Sequence, residues 1–176
     1  DALVHPDTIA LAHNAQRVAV GKRSGRHSTA QRFINKRLVD AARKHSVVVR
    51  LKGGDPMLFG RAHEEIAALR AAGVAHEIVP GVTAALAASA ELGISLTRRG
   101  LARSVVFLTP RSGAGEKPND WARSAAASDT AVIYMGVGEA RAIMAALVAQ
   151  GVAPTTPVMV VESASLADRR QFAMRL

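Results

Sequence analysis

The sequence predicts an α/β fold with mostly parallel sheets, arranged as two domains, and three observations carry that expectation. Short apolar runs alternate with longer amphipathic ones along the whole chain. The run SVVVRL at residues 46–51 is valine-rich, as a parallel strand covered on both faces should be. Helical patterns stop at glycines, with Gly73, Gly93 and Gly151 each closing one. Pro80 and Gly81 interrupt the alternation and divide the chain into a first domain of residues 1–79 and a second of residues 80–176.

Taken in order, residues 7–13 read as a short helix with Asp7 as its cap after Pro6. Residues 17–20 read as a strand ended by Gly21. Residues 28–44 form a long helical pattern capped by Ser28, with Phe33, Ile34, Leu38, Val39 and Ala42 as its apolar positions. Strand 46–51, helix 61–72 and strand 76–79 complete the first half. The second half runs as alanine-rich helix 83–92, strand 103–108, an exposed Gly/Pro-rich loop 109–119, helix 120–127, strand 130–134, helix 139–150 and strand 157–161. An edge hairpin follows. Ligands of such sheets lie beyond the carboxyl ends of the strands. Residues 53–55, Thr83 and Met135 each follow a predicted strand, so one cleft can collect all three.

Composition narrows the function classes. With 176 residues, 49% hydrophobic and 21% charged, the chain can bury a core and is not of the disordered class. It has no cysteine, which excludes disulfides, thiolate metal sites and a thiol nucleophile. The six histidines show no ligand spacing, and no metal is expected. There is no apolar run of about 18 residues, so no membrane partner is expected. The sequence opens at Asp1 without a methionine or a signal peptide, and the default localisation is cytoplasmic. Lysine and arginine number 23 against 14 acidic residues, a net +9 that attracts polyanions. Nucleic acid is one reading of that charge. An aromatic content of 3% leaves few platforms for stacking bases, and a small polycarboxylate fits equally well.

Residues 49–61, VRLKGGDPMLFGR, are the most informative stretch. An apolar strand runs into Gly53-Gly54-Asp55-Pro56. Paired glycines let main-chain amides approach a ligand, Asp55 offers an acceptor for a hydroxyl or ammonium, and Pro56 stiffens the exit. As a bare pattern this is equally an ordinary strand-to-helix turn. The wording RLKGGDPxxFGR resembles the signature of uroporphyrinogen-III C-methyltransferases, of the tetrapyrrole methylase family. Three further blocks are similar to that family's and fall in its order: VGKRSGRHSTAQRFIN at residues 20–35, IVPGVTAALAASAELGISLTRRG at residues 78–100, and VIYMG at residues 132–136.

The resemblance implies two α/β domains with S-adenosyl-L-methionine held in the cleft between them. It implies C-methylation of two pyrrole carbons of uroporphyrinogen III, giving precorrin-2 and S-adenosyl-L-homocysteine on the route to sirohaem and cobalamin. It also implies a homodimer. Asp1 matches the aspartate of the family's YDxLV motif and Lys22 the lysine of VGKRxG, which the family uses as proton acceptor and proton donor. Gly53, Gly54, Asp55 and Leu58 match its cofactor loop; Thr83 and Ala84, Met135 and Ala164 match further cofactor contacts. Without the resemblance, Thr83 reads as a helix cap and Met135 as core filler. Arg23, Arg50 and Arg98 are the expected substrate contacts, since a guanidinium grips carboxylates bidentately. Arg26 reads as a solvated face, and His27 lies near a matched block with no evident partner ligand.

The sequence also departs from the family. The family opens with a strand and VGAGPGDPxLLT, placed in the middle of the first sheet, and this sequence begins after it; its neighbours would then expose unpaired edges. RGGEE becomes Arg61-Ala62-His63-Glu64-Glu65, TGH becomes Thr109-Pro110-Arg111, and ENGT becomes Glu162-Ser163-Ala164-Ser165. Ala164 stands where the family has a glycine, and it fits if φ there is negative. The alternatives are a catalytically silent paralogue or fragment of the same fold, another precorrin or diphthine methyltransferase, and, more distantly, a basic nucleic-acid-binding domain, for which no motif is present.

Overall fold

A computed structural model of the chain describes residues 3–20, 31–113, 115, 117 and 119–176. The chain forms two compact units, Asp1–Thr83 and Ala84–Leu176. The division falls four residues beyond the expected break at Pro80. The Gly81 N–H donates to Asp55 Oδ2 at 3.0 Å, which ties the segment after Pro80 to the first unit.

In the first unit, α1 (Pro6–Ala10) is a short helix whose cap is His5, not Asp7: His5 Nδ1 accepts from the Asp7 N–H. Pro6 at the first helical position has no N–H to satisfy, so the cap falls before it. α2 (Gln31–Ala42) and α3 (Ala62–Ala71) pack together, with Ile34 of α2 buried. The Ser28 cap expected for the long helix lies outside the described residues. Gly73 follows α3 at φ +68°, a conformation in which its glycine identity is required.

Among the described residues, this unit contains no β-strand. The segments expected as strands at residues 17–20, 46–51 and 76–79 carry no ladder pairing. A strand exists only with a neighbour about 4.8 Å away, and the central strand that the resemblance puts between these segments has no counterpart among the described residues. Their side chains show the consequence: Val47 and Val49 are 77% and 76% exposed, and Val79 is 73% exposed.

The second unit holds the regular sheet structure. α4 (Ala84–Leu92) ends at Gly93, φ +64°. β1 (Val105–Leu108) and β2 (Thr130–Ile133) pair in parallel, from Val105 opposite Thr130 to Leu108 opposite Ile133. Parallel neighbours need a crossover, and α5 (Trp121–Ala126) supplies it. A single 3₁₀ turn at Val137–Glu139 leads into α6 (Ala140–Ala149). Leu108, Ala125, Ile143 and Leu147 form the buried core, with Val106, Trp121, Ile133 and Val152 packed around it. β3 (Pro157–Glu162) and β4 (Arg170–Arg175) make an antiparallel hairpin, as the edge expected at this end requires.

Asp129 locks the start of the parallel pair. Its Oδ2 accepts from the Ser104 hydroxyl at 2.8 Å and from the Arg103 and Ser104 amides at 2.9 Å each, while its own N–H donates to Ser104 Oγ. The Ser104 hydroxyl, followed by the two amides, holds the carboxyl below its ordinary value of 3.8. A depressed folded pKa contributes stability above the unfolded value that is lost as pH falls through the folded one. Wild type should therefore lose more stability than Asp129→Asn between pH 6 and pH 3. Urea midpoints at the two pH values check this, and equal losses would rule it out.

Candidate functional site

The loop after residue 52 is built by Asp55. Its Oδ1 accepts from the Met57 N–H at 2.8 Å and its main-chain carbonyl from the Leu58 N–H at 3.3 Å, closing a tight turn over Pro56. Its Oδ2 accepts from Gly81. The amides of Gly81 and Met57, in that order, hold its carboxyl below the ordinary 3.8. Asp55, expected as a ligand acceptor, thus spends part of its capacity joining the Gly53–Gly54 loop to the Pro80–Gly81 segment; a carboxylate keeps further lone pairs for a ligand. The two motifs meet closely, since a Cβ on Gly81 would lie 2.4 Å from the Gly54 carbonyl oxygen. Gly54 is exposed and left-handed, at φ +69°. Gly53 has a different reason to be glycine: a Cβ there would meet the Leu3 carbonyl oxygen at 2.8 Å, so its closest neighbour is the chain itself.

Beneath this loop lies a polar cluster that reading the sequence missed. Glu65 is 4% exposed. Its Oε1 accepts from Arg50 Nε at 3.1 Å and Gln31 Nε2 at 3.2 Å, and its Oε2 pairs with Lys52 Nζ at 3.2 Å. Gln31 also donates to Asn35, which donates to the Glu64 carbonyl. Arg50, expected to meet substrate carboxylates, is thus engaged within the unit, and its Nη1 donates to the Leu51 carbonyl. The available signal was one acidic residue on the α3 face shared with Ala62, Ala68 and Leu69.

In the second unit the phenol of Tyr134 accepts from the Ala85 N–H at 3.2 Å, joining the first turn of α4 to the end of β2. Phe107 meets the Tyr134 ring edge-on, with centroids 6.3 Å apart. Ala84 and Met135 are the chain neighbours of the two bonded residues. Met135 is left-handed, at φ +59°, and 48% exposed, so it is no core filler. A non-glycine residue held there is the kind of backbone outlier that clusters at ligand sites. Ala164 is not among the left-handed residues; Ser163 and Ser165 beside it are, at φ +54° and +69°. The Ser165 N–H donates to Glu91 Oε1 at 2.9 Å, and Arg169 pairs with Glu91 Oε2 at 3.3 Å, anchoring this turn to the last residues of α4.

The remaining expected residues are dispersed. Thr83 ends the first unit and is buried. Arg98 is exposed in a tight turn bridged to Ala102. Asp1, Lys22, Arg23, Arg26 and His27 lie outside the described residues. Among the described residues no group of histidine, aspartate and glutamate is placed to hold a metal ion, and no helix is long and apolar enough to cross a membrane.

The model of the tetrapyrrole (corrin/porphyrin) methylases matches residues 2–176. The chain belongs to that family. Uroporphyrin-III C-methyltransferase from Thermus thermophilus, solved in complex with S-adenosyl homocysteine, superposes with a TM-score of 0.83 at 39% identity, over 97% of this chain and 71% of that one. A cobalt precorrin-4 methyltransferase superposes with the same TM-score of 0.83 at 29% identity, over 99% of this chain and 72% of that one. The tetrapyrrole methylase fold expected from the sequence is therefore the fold observed. Among curated relatives, Siroheme synthase 1 of Cronobacter sakazakii is 46% identical over 171 residues, covering 97% of this chain and 36% of its own length. The siroheme synthase of Zymomonas mobilis is 42% identical over 177 residues, covering 100% of this chain and 38% of its own. The chain thus spans little more than a third of the curated relatives it matches.

Proposed function

We propose that this chain is methylase machinery that transfers methyl groups from S-adenosylmethionine to pyrrole carbons of uroporphyrinogen III, giving precorrin-2 and S-adenosylhomocysteine. The observation that carries the reading is the junction of the Gly53–Asp55 loop with the Gly81 segment, two sequence-distant motifs locked by one carboxylate. The residues present suit a nucleoside with an amino-acid tail. Exposed main chain at Gly54 offers polar groups without a side chain in the way, and Met135 offers a soft thioether against a purine. Ala164, free of a left-handed φ, tolerates its Cβ where a glycine was expected.

When bound, S-adenosylmethionine supplies an electrophilic methyl on a sulfonium. The chain's own part is placement, because an in-line displacement gains most from holding donor and acceptor in near-attack geometry. Gly53, Gly54, Asp55, Leu58, Thr83, Ala84, Met135 and Ala164 hold the donor in this reading. Asp1 accepts the proton that the macrocycle loses elsewhere once a pyrrole carbon has taken the methyl and left the ring cationic, and Lys22 donates one. Arg23 and Arg98 meet the substrate carboxylates, and Arg50 does so with whatever donor capacity Glu65 and Leu51 leave it. The same reading includes a cytoplasmic homodimer.

Calorimetric titration of the chain with S-adenosylhomocysteine should give a Kd in the micromolar range, about −8 kcal/mol. No binding up to millimolar ligand would sink the donor site and leave a silent scaffold of the same fold.

A further inference from the structure

We propose that Lys52 and Glu65 act as positioning residues for the loop of residues 53–59, setting the affinity of the methyl-donor site without touching the donor; the role presupposes the donor site proposed above. Lys52 precedes the loop and Gly60 follows it. Lys52 Nζ donates to the Gly60 carbonyl and pairs with Glu65 Oε2, so a single ammonium pins both ends of the loop to α3. Gly60 is shaped for that lysine: a Cβ there would lie 2.9 Å from Lys52 Cε and 2.7 Å from the Pro56 carbonyl oxygen. On either side of Gly60 the backbone is left-handed at non-glycine residues, Phe59 at φ +51° and Arg61 at φ +54°. Such conformations persist only where the surroundings over-determine them; the lysine clamp lies between the two, and the Arg61 guanidinium is held by Glu64 as well.

Burial gives the second line of support. The side chains of Lys52 and Glu65 are each 6% exposed. Taking two charges out of water costs more than packing two apolar side chains of similar size, so a pair kept at this depth is poor as a stabilising device. What it provides is direction. The ammonium must face the Gly60 carbonyl and the carboxylate at once, and Glu65 is itself fixed from its other oxygen by Arg50 and Gln31. The Gly53–Asp55 main chain starts immediately from that fixed lysine, and a ligand gripped by main-chain amides is sensitive to small displacements of them.

The test is the double variant K52M/E65Q, in which the amide that replaces the Glu65 carboxylate keeps an oxygen for Arg50 and the buried ammonium is gone along with its counter-charge. Its urea midpoint should stay near wild type, while the Kd for S-adenosylhomocysteine rises about tenfold. In turnover, KM for S-adenosylmethionine should rise, with kcat and KM for the tetrapyrrole nearly unchanged. Lys52→Met alone leaves Glu65 paired with Arg50 and should show the same split. Wild-type affinity in both folded variants overturns the proposal, as does failure of both to fold, since the pair would then be only structural. If wild type itself fails to bind S-adenosylhomocysteine, the donor-site reading is what falls, and this role falls with it.

Discussion

Gly81→Ala should destabilise the first unit by roughly 3 kcal/mol and abolish S-adenosylhomocysteine binding. The new Cβ would lie 2.4 Å from the Gly54 carbonyl oxygen and 3.2 Å from its carbon, and both are main-chain atoms that move only with the loop. Relief requires the two segments to part, which also breaks the Gly81 N–H to Asp55 bond and frees the Asp55 turn. Gly136→Ala is the natural control. There the close atoms are side-chain methyls of the other unit's core, Ile143 Cδ1 at 2.8 Å and Ile133 Cγ2 at 3.0 Å, so any strain falls on the second unit and leaves the Gly54 main chain untouched. The single tryptophan, Trp121, packs on the second unit's core and makes the two units separately readable. Gly81→Ala should shift the far-ultraviolet dichroism transition toward lower urea and leave the Trp121 fluorescence transition in place. A loop that tolerates the methyl with unchanged ligand affinity would show that the Gly54–Gly81 approach is not what shapes the site.

The second half of the fold was legible because its signals are local. A pair of short apolar strands, an alanine-rich helix and glycines at 93 and 151 each act within a few residues, and each element appears within two residues or so of where it was expected. Residues 46–51 carry an equally strong strand signal and yet form no ladder. Pattern records what a segment is able to do, whereas a ladder also needs a neighbour, and that is a non-local fact. The cap of α1 shows the same limit on a smaller scale: Asp7 is the better capping type, but Pro6 moves the helix start one residue toward His5.

At the candidate site, resemblance named residues and the structure supplied reasons that differ for several of them. Gly53 is small because Leu3 approaches it, Asp55 is acidic because two amides need an acceptor, and Arg50 is paired with a glutamate on a helix fifteen residues away. None of these partners is implied by the local sequence. Met135 moved the other way. Its residue type suggested filler, and only a left-handed φ and half-exposure mark it as a side chain placed for something outside the core.

Glu65→Ala should cost about 3 kcal/mol or more, beyond what its size suggests, because the loss falls on what remains. Lys52 is 6% exposed, and without Glu65 its ammonium keeps only the Gly60 carbonyl, an uncharged partner, in a place water reaches poorly. Arg50, at 19% side-chain exposure, can turn toward solvent, so the penalty is chiefly the lysine's. Gln31 would lose one acceptor and keep Asn35. Adding Lys52→Met to Glu65→Ala should therefore recover much of the loss, although the double variant has fewer hydrogen bonds than the single one. That inversion separates a charge stranded by its missing partner from a pair that stabilises by attraction. Urea denaturation followed by far-ultraviolet dichroism reads it directly: a double variant no more stable than Glu65→Ala would mean that the ammonium finds water, and that its burial does not hold the loop.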